Sequence, residues 1–185
     1  MKKIILAISV YLFNTVAILA QEIAPAPNDK AVVYFVRVSS LGFAINFSYF
    51  DSARLIGKFN GPKYIRYECE PGSHLFWARS EDRDFIEAEV EAGKIYFVEA
   101  VPQLGGLKAG VQLLPVDPAD EKRMRKIMKL LNKKSSESFT GEELAQETKE
   151  MEDIIARGLE KYKEEKEKGK KTERLEKSMD YKTQK

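Results

Sequence analysis

The stretch AVVYFVRV (residues 31–38) is apolar almost throughout, the pattern of a β-strand covered on both faces. Just after it, FAINFSYF (residues 43–50) sets Phe43, Ile45, Phe47 and Tyr49 against Ala44, Asn46, Ser48 and Phe50. That period of two gives a strand with one clearly hydrophobic face. In YIRYECE (residues 64–70), Ile65, Tyr67 and Cys69 point one way while Arg66, Glu68 and Glu70 point the other.

Further short runs complete the pattern. Arg54 to Phe59 follows a turn at Asp51-Ser52-Ala53, and Asn60-Gly61-Pro62 is a second turn signal. Pro71-Gly72 leads into His74 to Arg79, and Phe85 to Val90 alternates again. Glu91-Ala92-Gly93-Lys94 reads as a hairpin-like link to Ile95–Val101, and Val111 to Val116 makes a last strand after Gly105-Gly106. Roughly eight strands at about ten-residue spacing predict a small antiparallel β-sandwich over residues 31–116 rather than βαβ units.

Beyond the strands the texture becomes helical. Asp117 is a good N-cap and Pro118 suits the first helical position. A helix is therefore expected over residues 117–133, its Met124, Ile127, Met128, Leu130 and Leu131 packing on the sheet. Lys134 to Phe139 is a serine-rich break. Thr140 with Glu143 forms a capping box that launches a longer helix, Thr140 to Tyr162. Its narrow stripe of Leu144, Met151, Ile155 and Leu159 has the spacing of a coiled-coil seam or docking helix. These four residues are the candidate partner-binding site. Lys163 to Lys185 carries few large apolar residues and reads as a frayed or disordered end of the charged tail, residues 134–185.

At the other end, Lys2-Lys3, the apolar run from Ile4 to Phe13 and the stretch Val16 to Ala20 have the three-part form of a secretory signal, with cleavage near Ala20/Gln21. The alternative is an uncleaved anchor, for which the segment is short and is interrupted by Asn14. Residues 21–30, with two prolines, form a linker. The 185 residues carry 31 Lys and Arg against 29 Asp and Glu. Loss of Lys2 and Lys3 leaves a neutral chain, with no electrostatic case for nucleic acid. Cys69 is the single cysteine, so no intramolecular disulfide forms, and no cysteine stands near Ala20 to accept a lipid.

Val33-Tyr34-Phe35-Val36-Arg37, Leu55-Ile56-Gly57-Lys58, Pro71-Gly72-Ser73-His74 and Ala92-Gly93-Lys94-Ile95-Tyr96-Phe97-Val98 resemble, in order and spacing, a family of bacterial exported proteins known as domain of unknown function 2846. The two turn motifs are also similar to small surface sandwiches of the PEGA type. The resemblance spans residues 31–116 and implies a sandwich in the cell envelope with no known activity. Many members of that family look like lipoproteins, and this chain lacks their lipid-acceptor cysteine.

No catalytic, cofactor-binding or metal-binding set emerges. His74, the sole histidine, would find only carboxylates as fellow metal ligands, so a hydrogen-bonded structural role is expected. A Cys69–His74 dyad would need the thiol to leave the core side of its strand. Glu68 with Glu70, and Glu87 with Glu89, read as wet strand faces rather than a glycosidase pair. Glu81, Asp82 and Asp84 lack the oxygen-ligand spacing of a calcium loop. Gly105-Gly106 and Gly110 lack the context of a phosphate loop. Trp77 and Tyr64 are the aromatics best suited to stack on a sugar if exposed.

The sequence thus predicts an exported, non-enzymatic protein of the periplasm or cell surface. Its partner would be an envelope protein, or a second copy held weakly through the C-terminal helix. No stable membrane insertion is expected after signal cleavage. The alternative is an envelope glycan- or lipid-binding module. Intact-mass measurement of the exported form is expected to place its first residue at Gln21 or within a few residues of it; full-length chain in the membrane fraction would favour the anchor instead.

Overall fold

The computed structural model describes residues 23–105 and 108–182; the segment expected to be a secretory signal and Gly106 lie outside them. Eight strands occupy the first part of the chain: β1 (Ala31–Arg37), β2 (Asn46–Asp51), β3 (Arg54–Asn60), β4 (Lys63–Cys69), β5 (Gly72–Arg79), β6 (Arg83–Val90), β7 (Ile95–Gly105) and β8 (Lys108–Pro115). Helices α1 (Glu121–Leu131), α2 (Gly141–Glu150) and α3 (Glu152–Glu167) follow, then a short strand β9 (Glu173–Leu175) and a 3-10 turn at Lys177–Met179.

The strands form two sheets, ordered β4-β1-β7-β8 and β3-β2-β5-β6-β9. Both are mixed rather than purely antiparallel, because β1 runs parallel to β7 and β6 parallel to β9. Consecutive strands pair only as β2–β3, β5–β6 and β7–β8. The turns at Asn60–Pro62, Pro71 and Glu91–Lys94 carry the chain from one sheet to the other. The expected hairpin at Ala92-Gly93 is therefore a crossover: local turn chemistry reverses direction but does not specify the pairing partner.

The sheets face each other across one apolar layer. From the first sheet come Ala31, Val33, Phe35, Ile65, Tyr96 and Val98, and from the second Phe47, Tyr49, Phe59, Phe76, Ile86 and Ala88. All seven residues of β1 are buried, because its alternate residues Val32, Tyr34 and Val36 meet a second layer. There Met124, Ile127, Leu130 and Leu131 of α1 cover the outer face, together with Ile23. The N-cap of α1 is Asp120, whose side chain accepts from the Arg123 amide. Asp117, expected in that role, instead accepts from Ala119 N at 2.8 Å in the turn before the helix.

The second sheet is also covered outside. Phe50, Leu55, Trp77 and Phe85 project outward and are buried under Ile155, with Leu144, Met151, Leu159 and Tyr162 packed around them. The stripe expected as a free seam is thus seated on this chain's own sheet. The capping box of Thr140 and Glu143 is present, but the expected single helix divides at Met151 into α2 and α3. Gly158 allows α3 its close approach: a Cβ there would lie 2.6 Å from Cη2 of Trp77.

The expected disordered end is largely ordered. Leu175 on β9 is 1% exposed and enters the layer between the sheets. Tyr181 then packs edge-on to Phe97, and its amide donates to Ile95 O at 2.7 Å. Phe43 and Ile45, expected on a strand, precede β2 in a loop.

Two substitutions test this coverage. Gly158→Ala is expected to destabilise by about 1–3 kcal/mol, because overpacking against Trp77 outweighs the gain in helix propensity. Leu175→Ala is expected to cost about 2–4 kcal/mol by opening a core cavity. Chemical denaturation reads both; unchanged midpoints would show that α3 and β9 do not dock.

Candidate functional site

The polar residues with chemical potential converge at one end of the two-sheet stack, where β1 begins and β4 ends. Asp51 closes β2, His74 lies near the start of β5, and Tyr67 and Cys69 stand on β4. With Lys30, Arg54, Glu68 and Glu70 they line a cleft of about 360 Å³.

Asp51 is the hub. Its Oδ2 accepts from Tyr67 Oη at 3.0 Å and lies 2.8 Å from His74 Nδ1. His74 Nε2 lies 2.8 Å from the carbonyl oxygen of Glu70. A carbonyl can only accept and an ionised carboxylate can only accept, so both imidazole nitrogens carry protons and the ring is an imidazolium. The hydrogen bond to Asp51 is the chief reason its pKa is pushed up to about 10. Burial, followed by the Asp51 charge, raises the Tyr67 phenol as well. The His74 ring also stacks on Phe76 at 5.2 Å.

This geometry brings Cys69 and His74 to one cleft, as a dyad requires, but leaves the histidine no lone pair with which to take the thiol proton. Cys69 is buried, 6% exposed, among the core residues. The cluster is suited to holding two sheets together: Tyr67 belongs to one sheet, Asp51 and His74 to the other.

The remaining carboxylates are occupied in other ways. Glu81 Oε2 accepts from Ala109 N at 2.6 Å and Asp84 Oδ2 from Leu113 N at 2.8 Å, so they satisfy the outer edge of β8. Burial raises the Asp84 pKa, offset in part by that hydrogen bond. Glu87 binds Lys166 and Tyr162 of α3, and the Lys166 contact in particular holds its carboxyl below the usual range. Glu89 accepts from Ser73 Oγ, Glu68 from Arg66, and Glu70 from Lys30. Among the described residues, no three His, Cys, Asp or Glu side chains are grouped to hold a metal ion.

Leu144, Met151, Ile155 and Leu159 are brought together, but against Phe50, Leu55, Trp77 and Phe85 rather than toward solvent. Trp77 is fully buried and stacks on Phe50 at 3.9 Å, with Nε1 donating to Ser52 O at 2.8 Å. Tyr64 is 6% exposed beneath the α1 layer. Neither aromatic presents a face to a sugar. Asp51 and Tyr67 were not singled out by sequence, since a hydrogen bond between sheets leaves no periodic mark. Comparison with protein-family models, characterised proteins and solved structures gives no match.

The imidazolium gives a testable pH dependence. His74 has a folded pKa of about 10 against an ordinary 6.5, so the folded state binds the proton more tightly. The resulting stabilisation is complete below about pH 6.5, declines as pH rises, and is lost near pH 10. His74→Gln should cost about 2 kcal/mol at pH 6 and little at pH 10.5. Equal losses at both pH values would show that the charge contributes nothing.

Proposed function

We propose that the chain is an exported, non-enzymatic β-sandwich module of the cell envelope that works by binding a protein partner. The observation that carries this reading is the state of His74: both its nitrogens are committed to Asp51 and Glu70, so the best-placed catalytic group is a sheet-to-sheet clamp. The exported character rests on the sequence of residues 1–20, and the family resemblance on its four motifs alone.

Those motifs support a contact surface. Pro71 to His74 and Ala92 to Lys94 both lie at the end of the stack that holds the clamp, where Gly93 N donates to Lys30 O at 2.8 Å. The cleft there offers Lys30 and Arg54 beside Glu68 and Glu70, a mixed-charge surface that suits a polypeptide better than a uniformly charged ligand. With the α2–α3 stripe seated on the sheet, this surface replaces the seam as the preferred partner site. A seam released by lifting α2 and α3 is the second reading, and it requires exposing Trp77.

Site-specific photo-crosslinking in cells discriminates the two. A crosslinker at position 54 is expected to capture an envelope protein, and Glu68→Lys to diminish that adduct at least about fivefold without lowering the melting temperature. Capture only from positions 144 or 159 would favour the seam.

A further inference from the structure

Charge is unevenly spread over this chain. It carries 31 Lys and Arg against 29 Asp and Glu, yet residues 121–134 hold seven basic residues and a single acidic one, Glu121. That segment is α1 and the turn that follows it.

The helix sets where these charges point. Met124, Ile127, Leu130 and Leu131 are buried against the first sheet, which turns the opposite face to solvent. Lys122, Lys126 and Lys129 stand on that face at steps of four and three, all exposed. Lys133, also exposed, continues the line in the turn, where its amide donates to Leu130 O at 3.0 Å. At 3.6 residues per turn the four project within about 60° of one another and form a single file about 16 Å long. Arginines of the same helix take up the carboxylates beside it. Arg123 pairs with Glu99 at 3.3 Å and Asp120 at 3.7 Å, and Arg125 with Glu121 at 3.3 Å. The four lysines form no ion pair among the described residues.

Helix α3 is built differently. Lys161 has Glu165 at 3.9 Å, Lys168 has Glu164 at 3.7 Å, and Lys166 pairs with Glu87. Opposite charges at i,i+4 support a solvated helix, whereas like charges at that spacing, Lys122 with Lys126 and Lys129 with Lys133, oppose it. The file on α1 thus weakens the helix it stands on and directs its field outward.

We propose that this face binds a flexible linear polyanion, a polymer bearing a phosphate on each short repeat, laid along α1. Lysines on flexible stems act as point charges toward phosphate, so they match a density of charge rather than a fixed spacing. What the face lacks selects among anionic partners. It has no apolar residue to enter a bilayer, no aromatic side chain on which a nucleic-acid base could stack, and no apolar anchor of the kind that holds a protein partner. Tyr34, Tyr64 and Phe97, beneath the helix, are buried. None of these lysines lines the cleft beside Asp51, so the proposal stands apart from the protein-partner reading of that cleft.

The test titrates the exported protein with end-labelled inorganic polyphosphate. Four neutralised charges predict that log K falls against log salt with a slope of about −3, a loss of about fiftyfold between about 50 and about 200 mM. Lys126→Gln combined with Lys129→Gln is expected to weaken binding at least about tenfold at low salt and to halve that slope, at unchanged melting temperature. Lys161→Gln combined with Lys168→Gln removes the same charge from α3 and is expected to leave binding as it was. Absence of polyphosphate binding at low salt overturns the proposal. Equal losses in the two double variants assign binding to net charge and overturn it as well. Orthophosphate binding as tightly as the polymer would make this a single-anion site instead. Tighter binding through the same lysines to phosphatidylglycerol vesicles, or to a thymidine oligonucleotide of matched charge, would make the face a membrane or nucleic-acid contact and overturn the polymer.

Discussion

Both sheets are apolar on both faces, and the rest of the structure follows from that constraint. A sheet with Val32, Tyr34, Val36 and Phe97 on its outer surface, or Phe50, Leu55, Trp77 and Phe85, is unstable in water unless something covers it. The 66 positions from Asp117 to Lys182 supply the cover: α1 on one side, α2 and α3 on the other. The helical segment is therefore a structural part of the domain, and the layers run helix, sheet, sheet, helix. Gly158 shows how close the fit is, since the Trp77 ring occupies the space that any side chain there would need.

The same economy governs the sheet edges. Ser136 and Glu137 bond along the free edge of β4, through Arg66 N and Tyr64 O. Glu81 and Asp84 accept from the outward amides of β8, and β9 extends the second sheet beyond β6. Unpaired edges invite association with other chains, and here segments remote in sequence satisfy them. Carboxylates that could pass for a calcium loop thus serve the backbone of a neighbouring strand.

The two ends of the stack are held by different cations. At one, Asp51, Tyr67 and His74 form a charged clamp between sheets, lining a polar cleft. At the other, Arg37 spends its charge inward on three carbonyls, beneath a loop on which Leu41 and Phe43 are exposed. Buried Arg37 is held by three carbonyl acceptors, with its Nε left without a partner, and the half-buried His74 ring by Asp51 and the Glu70 carbonyl, which limits the cost of each charge in a low-dielectric interior.

Periodicity determined much of this protein. The alternation in residues 31–116 marked the strands, the uniform apolarity of Ala31 to Val36 marked a strand buried on both faces, and Thr140 with Glu143 marked a helix start. These features depend on neighbours within a few residues, and so a sequence displays them. A clue to the covered second sheet was also present: in β5, Leu75, Phe76, Trp77 and Ala78 are apolar at both parities, so neither face could be wet. Which element covers that face, which strands run parallel, and where the chain after Lys163 goes were decided only by tertiary structure. Leu175 is one apolar residue in a charged stretch, and local composition there favours disorder; the gap between two sheets folded some hundred residues earlier gives it a buried site. His74, Asp51 and Tyr67 follow the same rule, because their meeting depends on how two sheets stack rather than on any spacing along the chain.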